Sequence, residues 1–425
     1  MKRSYKYLGL LCGVLMIHQT IIACSIFTCS KNGHVLVGAN EDEYTSYHNM
    51  WFVPATKEKY GAVFFGKNNM QAQAGMNEYG LFFDFAAIPK IELENQKIDF
   101  LGMTEILVSC KNVDEALVLL EKHKFAAPAS QMLMADASGK SVIVNAETIV
   151  PKTGNYQITT NFNICDLKDE KYDCLRYDKI DRTLSGANDI SVSLFRDILD
   201  DVHQEGSLST QYSNVYDLKN LKIYINWFHN YRETVTIDLK KELKKGFRIE
   251  NLGSFFKQKN FAELTFERAD KNYFYNLIIN KIEKNGVDEG LKLFEQLVNA
   301  HPDKADKIKE DLNWVPYSLI SKARIAYDNQ PFDYYYVSFL NNHRTIWKSK
   351  NERLFQSLKI LDYIKKNDLT DNDFHFHESL GYINMVLDNK EESIENYEKA
   401  IVAAKDGSWE KIRATNTLNK IKNTK

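Results

Sequence analysis

The sequence predicts an α+β chain in two parts, a strand-rich part followed by an all-helical one, and three observations predict it. Short β-prone runs alternate with stretches of helical spacing over residues 24–245. After about Lys245 the texture changes. Residues 255–425 are rich in Lys, Glu, Asn, Leu and Tyr, hold only Pro302, Pro316 and Pro331 as prolines, and are periodic as helices almost throughout. Finally, 425 residues exceed one ordinary domain, so two are expected. A hydrophobic content of 44% with 12% aromatics suits packed domains rather than disorder. The expected bounds are an export signal over 1–23, a mixed domain over 24–245, a linker over 246–256 and a helical domain over 257–425.

The first element is the signal. Lys2 and Arg3 form a basic start, residues 7–17 hold the apolar stretch, and Ile21-Ile22-Ala23 offers a small-residue cleavage site before Cys24. Cutting there leaves Cys24 with a free α-amine and a thiol, a base and a nucleophile in one residue. The same four letters, Ile21-Ile22-Ala23-Cys24, also resemble a bacterial lipobox, in which Cys24 would carry lipid instead. Both readings stand at this point. Export to the periplasm or the exterior is expected, or an outer-membrane lipoprotein if the lipobox is used.

Runs at 25–28 and 34–38, joined by Ser30-Lys31-Asn32-Gly33, read as a hairpin. Further strands are expected at 62–65, 81–85, 132–135 and 141–145, with the turn Asp136-Ala137-Ser138-Gly139 between the last two. Residues 100–122 have helical spacing through Leu101, Ile106, Leu107, Ala116, Leu119 and Leu120. Strand character resumes at 211–215, 222–225 and 234–238.

Composition excludes several classes. The formal charge is −2, and removing residues 1–23 deletes Lys2, Arg3 and Lys6 and no acid, giving −5. Lysines are interleaved with acids and form no extended basic face, so no nucleic-acid partner is expected. No second apolar run reaches membrane-spanning length. Cys12 leaves with the signal, and Cys24, Cys29, Cys110, Cys165 and Cys174 remain, an odd number that leaves at least one thiol free. Cys165 and Cys174 are close enough for a local disulfide. No cysteine pair has zinc-ligand spacing with histidines, so no metal site is expected.

From Cys24 onward the chain resembles the choloylglycine hydrolase and penicillin acylase group, with its isopenicillin-N acyltransferase-like relatives. The resemblance is colinear over about residues 24–240. It starts with Cys24-Ser25-Ile26-Phe27-Thr28, Gly33 and Gly38-Ala39-Asn40-Glu41-Asp42, and continues with Gly75-Met76-Asn77-Glu78-Tyr79-Gly80-Leu81. Met134-Ala135-Asp136-Ala137-Ser138-Gly139-Lys140-Ser141, Ile158-Thr159-Thr160-Asn161-Phe162, Arg176-Tyr177 and Tyr212-Ser213-Asn214-Val215-Tyr216-Asp217 complete it. It implies a four-layer αββα N-terminal-nucleophile (Ntn) hydrolase sandwich, with two antiparallel sheets between helical layers, and hydrolysis of a linear amide or acyl transfer.

The resemblance also implies roles. Cys24 would be the nucleophile, and its α-amine, with a reference pKa near 8, would accept the thiol proton without any histidine. Asp42 would hold that amine, with Glu41 and Glu43 flanking it. Asn161 would donate to the oxyanion, an interaction worth roughly 3–4 kcal/mol. Arg176, with Arg182 as competitor, would support Asn161. Asn77, in its glycine-bounded turn, would line the site, and Trp51 and Phe83 are the aromatic candidates for an acyl pocket. Cys29 reads as a strand cysteine. Bile-salt hydrolases and penicillin V acylases carry arginine where this chain has Ala39, which points to a different substrate.

No cofactor is implied. The expected partner is a small-molecule amide, with membrane contact only through a lipid anchor. In the helical region, Leu380-Gly381-Tyr382, Asn389, Ser393-Ile394 and Tyr397-Glu398-Lys399-Ala400-Ile401 resemble one tetratricopeptide repeat, and residues 290–297 the second helix of a weaker one. Such a region is a candidate for capping the site, docking a protein or peptide, or self-association into a homo-oligomer.

Overall fold

Alternation along the strands builds the N-terminal half. A computed structural model describes residues 24–45, 48–91, 103–123, 125, 127–146, 148–169, 172–267, 270–328, 352–369 and 374–423. The expected export signal and the first residues of the helix expected from 100 lie outside the described residues. One antiparallel sheet runs β10 (Tyr156–Thr159), β1 (Ser25–Lys31), β2 (His34–Glu43), β11 (Ser209–Asp217), β12 (Lys222–Trp227), β13 (Asn230–Asp238). The other runs β14 (Arg248–Asn251), β3 (His48–Val53), β4 (Ala62–Lys67), β5 (Ala72–Asn77), β6 (Phe82–Ala87), β7 (Ser130–Ala135), β8 (Ser141–Val144), β9 (Ile149–Pro151).

Successive residues of a strand point to opposite faces, so each sheet feeds two apolar layers. Val35, Val37 and Ala39 of β2 meet Met50 and Phe52 of β3 between the sheets, with Phe65 and Phe82 beside them. On the far face of the first sheet, Phe27 and Leu36 pack on α3 (Leu175–Gly186) and α4 (Val192–Asp201) through Ile180, Phe195 and Ile198. On the far face of the second, Trp51, Phe64 and Phe83 pack on α1 (Met103–Ser109) and α2 (Val113–Lys122) through Ile106, Leu107 and Ala116. The result is four layers, helix, sheet, sheet, helix, followed by helices. The expected single helix to residue 122 is broken where Asn112 accepts a hydrogen bond from the Glu115 N–H and caps α2.

Residues 246–256, expected to be a linker, instead carry β14, which pairs with β3 and closes one edge of the second sheet. Ile249 and Phe247 lean on the outer layer there. After α5 (Leu239–Leu243), α6 (Phe261–Glu267) also belongs to this half, because Phe266 joins the inter-sheet core. A separate apolar cluster begins at Phe274 and reaches Ile421. It is built by α7 (Tyr273–Asn285), α8 (Val287–Ala300), α9 (Ala305–Asp328), α10 (Glu352–Lys366), α11 (Phe374–Val386), α12 (Lys390–Ala403) and α13 (Trp409–Asn423). The α11–α12 hairpin closes on Gly381, where a Cβ would stand 2.8 Å from the Tyr397 ring, and the Ser393 hydroxyl donates to the Gly381 carbonyl. No described helix is long and apolar enough to cross a membrane.

Candidate active site

The β1–β2 hairpin turns through Asn32 and Gly33, with φ of +48° and +83°, as a two-residue turn of this hand requires. That turn sets Ser25 opposite Asn40 and so stands Cys24 beside Glu41. The Cys24 thiol, only 4% exposed, points between the sheets and donates to Glu41 Oε2 at 3.9 Å. The Asp42 backbone N–H reaches the sulfur from the other side.

Arg176, in the first turn of α3, reaches back over this edge. Its Nη1 donates to the Cys24 carbonyl at 2.9 Å and to Ser25 Oγ at 2.6 Å, and its Nη2 donates to Asn161 Oδ1 at 2.8 Å. Nη1 also lies 3.9 Å from Asp42 Oδ2. With Oδ1 held by the guanidinium, the Asn161 amide nitrogen must face away from it, and donates to the Ala87 carbonyl at 2.8 Å. The Thr210 hydroxyl donates to Asp42 Oδ1. Cys24, Asp42, Asn161 and Arg176 therefore share one hydrogen-bonded network. Arg182, the competing arginine, lies exposed on the same helix, outside these contacts.

The electrostatics are dominated by buried acids. Burial, then the charges of Glu41, Asp42 and Asp84, pushes the Cys24 thiol well above its usual range. Glu41 of β2 and Asp84 of β6 face each other across the sheets within hydrogen-bonding reach. Two carboxylates so placed cannot both ionise. Burial raises Glu41 to about 7, and burial plus the Glu41 charge raises Asp84 well above the ordinary range. Burial also lifts Asp42, opposed first by Arg176 and then by Thr210. His48, in contact with the Tyr212 ring, is driven down to about 3 by burial and stays neutral.

Three of the expected site residues stand elsewhere. Asn77 is a clamp for its own turn: its amide nitrogen donates to the carbonyls of Leu107 and Cys110, and its oxygen accepts from the N–H groups of Tyr79 and Leu81. Trp51 and Phe83 have the wrong parity and face the α1–α2 layer, on the opposite side of the second sheet from Cys24. Met50, Phe52 and Phe82, one position away, face the thiol's layer. Cys29 packs in the α3–α4 layer, and no disulfide joins Cys165 to Cys174, whose sulfur instead lies 3.3 Å from the Thr160 hydroxyl. The sequence reading passed over Ser25, Thr210 and Asp84. Strand parity was the available signal for Glu41, which shares a face with Ala39; Asp84 had none, because it comes from the other sheet.

A cavity of about 420 Å³ lies where the helical region meets the β4–β5 turn. Lys67, Asn68, Tyr275, Trp314, His375 and Glu410 are among its walls, and Asn68 Nδ2 donates to the Tyr275 hydroxyl across it. Cys24 is not in its wall. The link to the thiol runs along β2, because Lys67 Nζ pairs at 2.7 Å with Glu43, two residues beyond Glu41.

A family model described as acyl-coenzyme A:6-aminopenicillanic acid acyl-transferase matches residues 28–230, beginning just beyond Cys24. The match spans a little under half of the chain, all of it within the strand-rich part. Among solved structures, a variant of the conjugated bile acid hydrolase from Clostridium perfringens is similar at 16% identity with a TM-score of 0.44, over 56% of this chain and 97% of that one. The penicillin V acylase from Agrobacterium tumefaciens is similar at 18% identity with a TM-score of 0.41, over 54% of this chain and 90% of that one. No curated protein sequence matches the chain.

Proposed function

We propose that this chain is an exported cysteine hydrolase of linear amides, of the N-acyl amine or N-acyl amino acid type, with Cys24 as its N-terminal nucleophile. The observation that carries the reading is the Arg176 clamp, one guanidinium tying the Cys24 carbonyl, Ser25 and Asn161 together beside Asp42. A thiol held protonated by burial and by acids needs a base in contact with it. Removal of residues 1–23 supplies one, the α-amine of Cys24 itself, which Asp42 would hold.

The thiol proton passes to that amine as sulfur bonds the substrate carbonyl carbon. Negative charge develops on the carbonyl oxygen, where the Asn161 amide, oriented by Arg176, stabilises it. The C–N bond then breaks, and the protonated amine of Cys24 gives its proton to the departing nitrogen. Water, losing a proton to the same amine, bonds the thioester carbon; the C–S bond breaks, the amine returns the proton to the departing sulfur, and the acid is released.

Acyl transfer is the second reading, favoured by the family model's acyl-transferase description. There an amine takes the place of water at the thioester. The helical region supplies one wall of the cavity at the end of β2, a position suited to capping a substrate's path. Its tetratricopeptide-like hairpin is a candidate for a protein or peptide partner or for self-association.

The test is intact-mass analysis of the mature N-terminus, followed by turnover of a panel of N-acyl amino acids, bile conjugates and penicillins with and without competing amines. A free Cys24 and loss of turnover in Cys24→Ala support the reading. A lipid adduct on Cys24, marking an anchored binding protein, or retained turnover in Cys24→Ala would overturn it. Amine products in place of the free acid would select transfer.

A further inference from the structure

A second cluster of chemically capable side chains sits at the N-terminal end of β11 and was hidden by sequence spacing. His203 and Glu205 lie in the loop between α4 and β11, and His229 is the second residue of the β12–β13 turn. One donor atom from each lies within 4.8 Å of the others. His203 Nε2 stands 3.2 Å from Glu205 Oε1. That already matches the edge of a tetrahedral zinc site, where ligands bonded at about 2.0–2.1 Å stand about 3.3 Å apart. The two imidazole rings stack with centroids 4.5 Å apart.

The surroundings have the features of a prepared ligand set. His203 Nδ1 is hydrogen-bonded to the Asp200 carbonyl and lies 3.5 Å from its carboxylate. This fixes the proton on Nδ1 and turns Nε2 toward Glu205, as outer partners of metal-bound histidines do. The Ser209 hydroxyl meets His229 Nε2 at 3.1 Å and orients the second ring. The turn itself is costly. Phe228 and His229 have φ of +39° and +61° at positions where Asn-Gly would be unstrained. Core packing against Trp227 and Phe266 accounts for Phe228. The Ser209 contact and the stack on His203 hold His229 in its place in that turn.

We propose that His203, Glu205 and His229 form a binding site for a divalent transition-metal ion, zinc in type. Two imidazoles and one carboxylate are borderline ligands that favour zinc, nickel, cobalt or copper over calcium or magnesium, and the exposed side leaves a position for water. The site is wired to the catalytic edge. Gln204, between two of the ligands, donates its N–H to Thr210 Oγ1 at 2.7 Å, and that hydroxyl donates to Asp42. A bound ion therefore braces the loop that holds Thr210 on the Asp42 carboxylate.

The test uses the processed chain carrying Cys24→Ser, which removes the one thiol near an α-amine that could itself take metal. After treatment with a chelator, the protein is titrated with Zn²⁺ alone by calorimetry and with Co²⁺ by visible absorption. One ion per chain is expected, with cobalt bands of a four- or five-coordinate site. His203→Ala and His229→Ala should each weaken binding by at least about 100-fold, and Zn²⁺ should raise the melting midpoint of the parent but of neither variant. Circular dichroism checks that the variants fold, and Glu205→Gln, on an exposed loop, gives a third variant whose folding is not at stake. Absence of binding by the folded parent, or unchanged affinity in the two histidine variants, would overturn the proposal. Because the thiol is already gone, either result stands apart from the fate of the hydrolase reading.

Discussion

Replacing Arg176 by methionine keeps most of the stem's volume and removes the guanidinium. Three hydrogen bonds of 2.6–2.9 Å are lost. Bonds with a charged partner contribute on the order of 1.5–3 kcal/mol each, without being additive. What remains behind matters more. Asp42 is fully buried, and its Oδ2 has no hydrogen bond and looks to Arg176 for its nearest cation. Removing one member of a buried pair costs about 3–5 kcal/mol. At about 2–4 °C per kcal/mol for a domain of this size, the melting midpoint should fall by about 6–20 °C near neutral pH. The pH dependence has a definite sign. Burial has already raised the Asp42 pKa, and Arg176 opposes that rise, so the variant raises it further. An acid whose folded pKa exceeds its unfolded value takes up protons on folding, and stability falls as pH climbs from the unfolded value toward the folded one. The deficit of Arg176→Met should therefore be small near pH 4 and grow toward pH 8. Calorimetry of the parent, Arg176→Met, Asp42→Asn and the double variant at both ends of that range measures it. The double variant should recover much of the loss, because the stranded charge is gone. A deficit independent of pH, or no rescue by Asp42→Asn, would refute the clamp as a charge-bearing element.

Three further outcomes follow from the same contacts. Glu41→Gln removes a carboxylate 3.9 Å from the sulfur that titrates at about 7, so iodoacetamide should alkylate Cys24 faster than in the parent above pH 7, with the difference vanishing below pH 6. Slower alkylation of the variant at pH 8, read by mass spectrometry, would mean that Glu41 accepts the thiol proton instead of repelling the thiolate. Asn77→Ala breaks four hydrogen bonds, three of them buried, and should cost about 2–4 kcal/mol in a denaturant melt while leaving the Cys24 alkylation rate of the folded protein unchanged. Phe83→Leu should cost about 1 kcal/mol and leave substrate selectivity intact, since the ring faces α1 and α2; a changed selectivity profile would place it at the site after all.

Much of the fold could be read from local signals. The runs at 25–28, 34–38, 62–65 and 132–135 are all strands, because β-prone residues bounded by turn chemistry report on their own backbone. Strands such as β3 and β5 escaped, being buried on both faces and so lacking a plain alternation. The linker expected at 246–256 failed for a related reason. A strand of four residues has no periodicity of its own, and β3 supplies the pairing that makes it one.

By itself the sequence determined the α+β class, the change to helix after the mixed half, and the letters of the network around Cys24. These depend on hydrogen bonding and periodicity within a few residues, and on a colinear pattern of motifs. Only the tertiary structure decided which arginine reaches Cys24, which face Trp51 and Phe83 occupy, and that Glu41 meets Asp84. It alone set His229 beside His203. Those outcomes turn on helix phase and strand register, where a shift of one residue reverses a side chain, and both are fixed only when the layers pack on one another.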